Sequence, residues 1–369
     1  VIDPRDHEVA ADIALAETLP SSAFTDPSFL ELELRTIFAR SWLLVPGARV
    51  EERETHAPAS LVGRPVLVRR DAAGELRCFP NVCSHAWHTL APEPGRGRTL
   101  VCPQHGRTFD GDGRCIAQRG FTGLADFPRD QDHLVALPVA SWGPLAFVAF
   151  ERPPRTLDAL LAPVRASLGS LALERLEPRA HVDEVREVEG NWKLHAWNFM
   201  DTFHIPHIHK GPGGLATAVD LGSYVTELHE GCALQWAWAR DPRDGFEPDL
   251  LAERFRDPVR RVYALWWFLF PNVTLNFYPW GVSVNVYEPV PGRPDRTRFL
   301  WMHLVLDAAK YEAREERWFL ARVDEEDVAA LRHVRRGAQS GFAGRGRFAP
   351  ELEKGPHWFH RHVSIGLRA

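Results

Sequence analysis

The sequence has no long apolar run. Nothing in its 369 residues approaches the ~20 consecutive apolar residues of a membrane span, so no membrane role is expected. It also lacks a strong charge of either sign. A net charge of −5 offers no broad basic surface to nucleic acid or an anionic bilayer. Arginine far outnumbers lysine, which reads as compositional bias and not as phosphate recognition. Cysteine is too sparse for a disulfide framework, with an odd count of five. Cys78, Cys115 and Cys232 are expected as buried free thiols, and the low cysteine usage points to a reducing cytosol. Internal repeats and low-complexity segments are missing. Asp3, Asp6, Glu8 and Asp12 keep the stretch from Val1 to Glu17 from reading as a signal peptide. The rest is ordinary for a globular chain, 45% apolar and 25% charged, and the length suits two domains.

Against that background two pairs stand out. Cys83-Ser84-His85 and Cys102-Pro103-Gln104-His105 form C-x-H, a spacer of sixteen residues, then C-x-x-H. Two thiolates and two imidazoles so spaced suit a Rieske [2Fe–2S] cluster, in which cysteines hold one iron and histidines the other. A structural zinc site is the alternative, although zinc ribbons pair like ligands as C-x2–4-C. Pro103 and Gly106 surround the second pair and Gly111 and Gly113 follow it, and the glycines let backbone N–H groups approach cluster sulfurs. Phe109 to Arg114 reads as a tight hairpin turn.

The chain divides readably. Residues 1–40 are mainly helical in pattern, opening a helix at Asp26-Pro27. Residues 41–152 carry short alternating stretches, such as Val66-Leu67-Val68 before the turn Asp71 to Gly74 and the run Leu145 to Phe150, and are expected to form a small antiparallel β domain. Arg152 to Arg155 reads as a linker. Residues 153–369 show a helix from Leu157 to Leu171, a strand from His181 to Val188, and a helix from Asn191 to about Ile205. Strands follow over Gly222–Leu228, Ala233–Arg240, Tyr263–Phe270, Val273–Tyr278, Val282–Glu288 and Arg298–Leu306. A long helix from Ala309 to about Arg336 comes last. That order predicts an α+β domain with a curved antiparallel sheet around a helix.

A second cluster of chemistry lies in Asn191 to His209. Asn191 can cap the helix, on which Asn198, Asp201 and His204, three apart, share a face. His209 is five beyond His204, roughly 140° away on an unbroken helix. Pro206 disfavours helix at Ile205 and lets the chain turn to bring His209 round. His207, one turn from His204, is the rival second ligand, and His195 reads as structural. Two histidines and one carboxylate make the facial site of non-haem Fe(II) oxygen chemistry. The residues alone leave the carboxylate open among Asp324, Glu325, Glu326 and Asp327, a run that also reads as a solvated acidic face.

These motifs resemble the α-subunits of Rieske non-haem iron oxygenases, the aromatic-ring-hydroxylating dioxygenase superfamily, in its choline-monooxygenase-like branch. The resemblance covers nearly the whole chain. It rests on Cys83 to Gly106, Asn191 to His209, Phe270 to Gly281, Glu326 to Gly337 and the tail from Gly346 through His360. It implies a Rieske domain at 41–152 and a START-like helix-grip catalytic domain at 153–369, with residues 1–40 packing on the latter. It implies Cys83, His85, Cys102 and His105 as cluster ligands, and His204, His209 and Asp327 as ligands of mononuclear Fe(II). Asp201 would bridge His204 and His105 of a neighbouring copy, with Asn198 beside it. That bridge implies a head-to-tail homotrimer. An NAD(P)H-dependent reductase, directly or through a ferredoxin, would supply electrons, and O2 would be the co-substrate in hydroxylating or demethylating a small organic compound.

Several positions depart from the family pattern. Ala86-Trp87 stand for Arg-Gly, Gln104 for an aromatic, Arg107 for tryptophan, Trp197 for an acidic residue and Arg335 for glutamine. The aromatic strands offer three faces: Trp236 with Trp238; Trp266, Phe268 and Phe270; and Asn276, Tyr278 and Trp280. Most are expected in the core, with two or three lining a cavity suited to a flat aromatic ring or a quaternary ammonium. A pure Rieske electron carrier and a START-like binding protein without metal are the alternative classes. Both full ligand sets argue against them.

Overall fold

The computed structural model describes residues 2–47, 52–179, 184–211, 214–318, 320–342 and 344–368. The chain separates into two compact units, Arg40–Pro154, and Val1–Ala39 with Arg155–Ala369. In the first unit, β1 (Thr55–Leu61), β2 (Arg64–Arg70) and β3 (Leu76–Pro80) form an antiparallel meander. Val66, Leu67 and Val68 are all buried, as a central strand requires. The turn after β2 closes on Asp71, whose carboxylate accepts the Glu75 N–H at 2.8 Å. A second hairpin pairs β4 (Thr108–Phe109) with β5 (Cys115–Ala117). Asp110 builds its turn by accepting the N–H groups of Asp112 and Arg114, each at 2.9 Å.

The second unit is built on an eight-stranded antiparallel sheet among the described residues. Its main strands are β6 (Glu184–Glu189), β7 (Val225–Leu228), β8 (Cys232–Trp238), β9 (Val262–Leu269), β10 (Val273–Tyr278), β11 (Gly281–Val290) and β12 (Arg293–Val305). The order is β12-β11-β10-β9-β8-β7, with β6 and Glu177–Pro178 both paired to β12. The strand expected from His181 begins in residues 181–183, which lie outside the described residues. Register sets the site. Gln235, Trp266, Asn276, Ser283 and His303 stand opposite one another across five strands, so their side chains share one face. Asn285 and Trp301, two residues along, join them there.

Six helices matter for the site: α1 (Pro27–Thr36), α2 (Leu157–Ser167), α3 (Trp192–Met200), α4 (Ile205–Ile208), α5 (Leu320–Gln339) and α6 (Lys354–Gly366). Three helical expectations need correction. Glu8 to Leu19 is not helical, because its backbone bonds elsewhere: Thr18 N–H donates to Gly346 O at 2.9 Å and Leu19 N–H to His360 Nδ1 at 3.0 Å. The C-terminal helix is divided into Ala308–Glu312, Arg314–Arg317 and α5. Helix α6 follows, in a tail that the sequence marked only by its motif.

A buried ion pair ties α1 to α3. Lys193 Nζ lies 2.6 Å from Glu33 Oε1 with both side chains fully buried. Trp192 Nε1 donates to Glu33 Oε2 and Lys193 Nζ to Asn191 Oδ1, both at 2.8 Å. Burial pushes the Glu33 carboxyl up and the Lys193 ammonium down, and mutual attraction opposes both shifts. Removing one partner strands the other. Glu33→Gln is expected to destabilise the fold by about 3–5 kcal/mol in denaturant unfolding. The double variant Glu33→Leu/Lys193→Met is expected to regain most of that loss.

Candidate metal centres

Asn191 caps α3 by accepting the Lys193 N–H at 3.1 Å. The helix ends at Met200, and Asp201 is extended at φ −86°, ψ 117°. Its Oδ1 accepts the Phe203 N–H at 2.7 Å, an Asx-type turn that competes with helix. Asn198, Asp201 and His204 therefore do not lie on one helical face. The role expected of Pro206 is also corrected. It sits in the first turn of α4, where its missing N–H needs no partner. The chain turns earlier, around Asp201 to Phe203. His204 and His209 then bracket α4, and their Nε2 atoms approach to 3.2 Å. His207 lies within α4 and is exposed beside Phe203.

Helix α5 closes the group. Asp327 Oδ1 lies 3.1 Å from His209 Nε2 and 3.5 Å from His204 Nε2. The other ring nitrogens face carboxylates: His209 Nδ1 lies 2.7 Å from Glu326 Oε2, and His204 Nδ1 lies 3.3 Å from Asp201 Oδ2. Carboxylates accept, so the neutral rings carry their protons on Nδ1 and present bare lone pairs at Nε2. Asp327 Oδ1 is buried without a hydrogen-bond partner. Three potential ligand atoms, one from each side chain, converge within 4.8 Å of one another. Protonation trends show the same demand for positive charge. Burial alone would lower the His204 imidazolium, but bonds to Asp201 and Asp327 outweigh it and raise the group to about 9. Burial would raise Asp327, yet the two histidines pull it to about 2. A divalent ion meets that demand, and three protein ligands leave coordination positions open.

Glu326 is the residue that sequence reasoning missed in function, although it stood among the candidate carboxylates. Its neighbour Asp327 is roughly 100° further round the helix, so the two carboxylates address opposite nitrogens of the same ring. Arg322, one turn earlier, donates to Glu326 Oε1 at 3.0 Å. His195 is buried beneath, its ring bonded to Glu189 O at 3.2 Å and its imidazolium pushed down to about 4 by burial.

The three convergent side chains border a cavity of about 600 Å³ between the sheet face and α3, α4 and α5, with Asn198 and Asp201 on its helical side. Of the aromatic residues singled out in the strands, Trp266 and Tyr278 border it, with Asn276 between them. Trp236 and Trp238 do not. Trp236 donates to Glu227 at 3.0 Å, and Trp238 packs under Arg260.

In the other unit, the two expected cluster loops are folded alike. Cys83 N–H donates to His88 O and Trp87 N–H to Cys83 O, at 2.8 and 3.1 Å. Cys102 N–H donates to Arg107 O and Gly106 N–H to Cys102 O, at 2.8 and 2.9 Å. The fifth residue of each loop is left-handed, Gly106 at φ 70° and Trp87 at φ 60°. Glycine takes that conformation freely and tryptophan does not, yet the indole is 83% exposed. Cys83 and Cys102 are both buried, and neither forms a disulfide. The rings of His85 and His105 lie 4.9 Å apart, and His85 Nδ1 is buried without a partner. Burial and the Arg107 charge hold His85 below its ordinary value, in the neutral form that ligates. Two thiols and two imidazoles meeting on twin loops fit a [2Fe–2S] group.

Comparison with known proteins gives the same pattern. Residues 173–366 match the family described as ring hydroxylating alpha subunit (catalytic domain), and residues 41–128 match the Rieske [2Fe–2S] domain. A chloroplastic choline monooxygenase of Arabidopsis thaliana is 30% identical, over 94% of this chain and 82% of its own length. The carnitine monooxygenase oxygenase subunit of Acinetobacter pittii is 23% identical, over 96% and 94%. The solved structure of a quaternary ammonium Rieske monooxygenase shares the fold, with a TM-score of 0.79 at 22% identity over 99% of this chain and 98% of that one.

The convergent triad generates one direct test. Zinc titration of a chelator-treated Cys83→Ser/Cys102→Ser variant is expected to raise its melting temperature by several degrees through mass action, and adding His209→Ala is expected to abolish the rise. An undiminished rise in that variant rejects the site.

Proposed function

This chain belongs to the Rieske non-haem iron oxygenases, and from that premise we propose that it oxidises a quaternary ammonium compound in the cavity beside His204, His209 and Asp327. The observation that carries the reading is an aromatic wall facing those three ligands. A quaternary nitrogen donates no hydrogen bond and is held by aromatic faces and nearby carboxylates. Tyr224 and Trp266 stack at 5.6 Å with 7° between planes, and Trp266 Nε1 donates to Tyr278 Oη at 3.0 Å. These fixed rings border the cavity together with the carboxylates of Glu184 and Asp324.

His204, His209 and Asp327 would hold Fe(II), which would supply the reduction of O2, so that overall a C–H bond, O2, two electrons and two protons become C–OH and water. The chain's own residues hold the reactants. Asp201 and Glu326 fix the tautomers of the two histidines, Asn198 meets the substrate, and the aromatic wall excludes water. Cys83, His85, Cys102 and His105 would hold the [2Fe–2S] cluster, which would take electrons from an NAD(P)H-dependent reductase, with or without a ferredoxin. Asp201 links His204 to His105 of the partner subunit in a head-to-tail homotrimer, and the free thiols suit the cytosol. No helix of the described residues is long and apolar enough to cross a membrane.

A polar band crosses the aromatic wall. Asn276 is 4% exposed, its Nδ2 donates to Thr274 at 3.2 Å, and its Oδ1 has no partner. Ser283 and Asn285 continue the band. An unpaired buried acceptor suits a substrate hydroxyl. Choline is therefore expected to bind about tenfold or more tightly than its neutral carbon isostere 3,3-dimethylbutan-1-ol, by calorimetry on the iron-loaded protein. Equal affinity for the two rejects the ammonium reading. Asn276→Leu is expected to weaken choline several-fold and leave tetramethylammonium unchanged. Asp201→Asn is expected to keep a reducible cluster but lose at least 100-fold in turnover.

A further inference from the structure

Arg107 is a charged side chain in a place where charge is expensive. Its residue is 1% exposed and it follows the second ligand pair by two positions. The guanidinium is tied to both cluster loops. Nη1 donates to Ser84 Oγ, between Cys83 and His85, at 2.9 Å. Nε donates to Gln118 Oε1 at 2.7 Å, and Gln118 Nε2 donates to the His105 carbonyl at 3.4 Å. Its flat face lies over Phe121, 5.2 Å from the ring centre, and Phe121 abuts His85 edge-on at 5.3 Å. The only carboxylate that Arg107 contacts among the described residues is Asp132, with Nη1 to Oδ1 at 3.0 Å.

The two charges are not placed symmetrically. The Arg107 side chain is 2% exposed and that of Asp132 is 17% exposed. Asp132 also accepts the Arg129 N–H at 3.0 Å, on the side away from the guanidinium. The cation sits inward, against the ligand loops, and the anion sits outward, where solvent screens it. Charges in the low-dielectric interior act more strongly than those at a screened surface. The pair therefore leaves a net positive field over the loops.

We propose that Arg107 and Asp132 form a buried, offset ion pair that sets the reduction potential of the cluster on Cys83, His85, Cys102 and His105, with Arg107 raising it and Asp132 restraining it. This rests on the reading of those four residues as cluster ligands. Reduction adds one electron, hence one negative charge, to the cluster. A guanidinium held beside it stabilises the reduced form, and the outer carboxylate opposes that effect. Hydrogen bonding around a cluster is a known means of tuning. Here the device is a pair of opposite sign, so its two halves can be separated. Arg107 is a positioning residue as well, since it braces Ser84 and, through Gln118, the His105 carbonyl.

The test is a redox titration of the purified holoprotein at one fixed pH, followed by visible circular dichroism, with iron and acid-labile sulfide measured on each sample. Arg107→Gln is expected to shift the oxidised-to-reduced ratio at a given potential about tenfold toward oxidised, a fall of about 59 mV for one electron. Asp132→Asn is expected to shift it the other way, about threefold toward reduced. Arg107→Lys, which keeps charge with fewer bonds, is expected to stay near wild type. If Arg107→Gln fails to hold a cluster, Asp132→Asn and Arg107→Lys still decide. A lowered or unchanged potential in Asp132→Asn, or an Arg107→Lys value matching a displaced Arg107→Gln, overturns the proposal. Wild-type protein without Rieske circular dichroism or labile sulfide overturns the ligand reading itself, a separate result.

Discussion

Two imidazoles held with their Nε2 atoms 3.2 Å apart and facing a shared carboxylate are the constraint on which the catalytic unit depends. Such an arrangement is unfavourable unless a cation sits between the rings, and the rings must not rotate away before one arrives. Both requirements are met by carboxylates from separate elements. Asp201 closes α3, while Glu326 and Asp327 come from α5, more than a hundred residues later. The site therefore exists only when α3, α4 and α5 are docked together. Helix α3 packs against α5, α6 and β11, and the Lys193–Glu33 pair fixes its first turn to α1. A buried pair of this kind contributes little net stability but penalises every arrangement that separates its members. The N-terminal segment is in this way part of the support of a histidine–carboxylate cluster it never touches.

The sheet supplies the opposite wall by register. Residues paired across β8 to β12 put Trp266, Asn276, Ser283 and His303 in one row. Successive side chains on a strand face opposite ways, so a slip of one residue in any strand would turn its pocket residue into the packed layer. Aromatic planes locked by mutual stacking and by the Trp266 to Tyr278 hydrogen bond lose little entropy when they meet a cation. The Asn276 carboxamide, with one half unsatisfied, gives the same wall a direction. Its position between Trp266 and Ser283 sets a polar group beside the aromatic faces.

The twin loops of the other unit follow a different economy. Each needs a left-handed fifth residue so that the chain returns and bonds to its own cysteine. Gly106 meets that need without strain and Trp87 meets it with a bulky, exposed indole. The departure at Arg107 has a structural account. Where the family resemblance led to tryptophan, this chain buries a guanidinium and satisfies it with Ser84, Gln118 and Asp132.

How far the sequence reached can be argued residue by residue. The order of strands, the fold class and the two ligand-bearing segments were legible, because hydrophobic period and close ligand spacing are local signals. Asn191 as a cap and the turn around Asp110 were legible for the same reason. Helix ends were not. Asp201 ends α3 through its own side chain, and Pro206 starts α4 instead of breaking a longer helix, outcomes that depend on which backbone groups find partners. The non-helical run from Glu8 to Leu19 bonds to Gly346 and His360, contacts more than three hundred residues apart that no local pattern encodes. The same holds for the site. Sequence supplied histidines and an acidic run, and resemblance singled out Asp327. Only tertiary structure decided that Glu326 grips the far side of His209, that Asn276 keeps a free oxygen in the cavity, and that Arg107 lies inward of Asp132. The physical reason is common to all three: direction and burial of a side chain are settled by what packs against it, and those neighbours are distant in the chain.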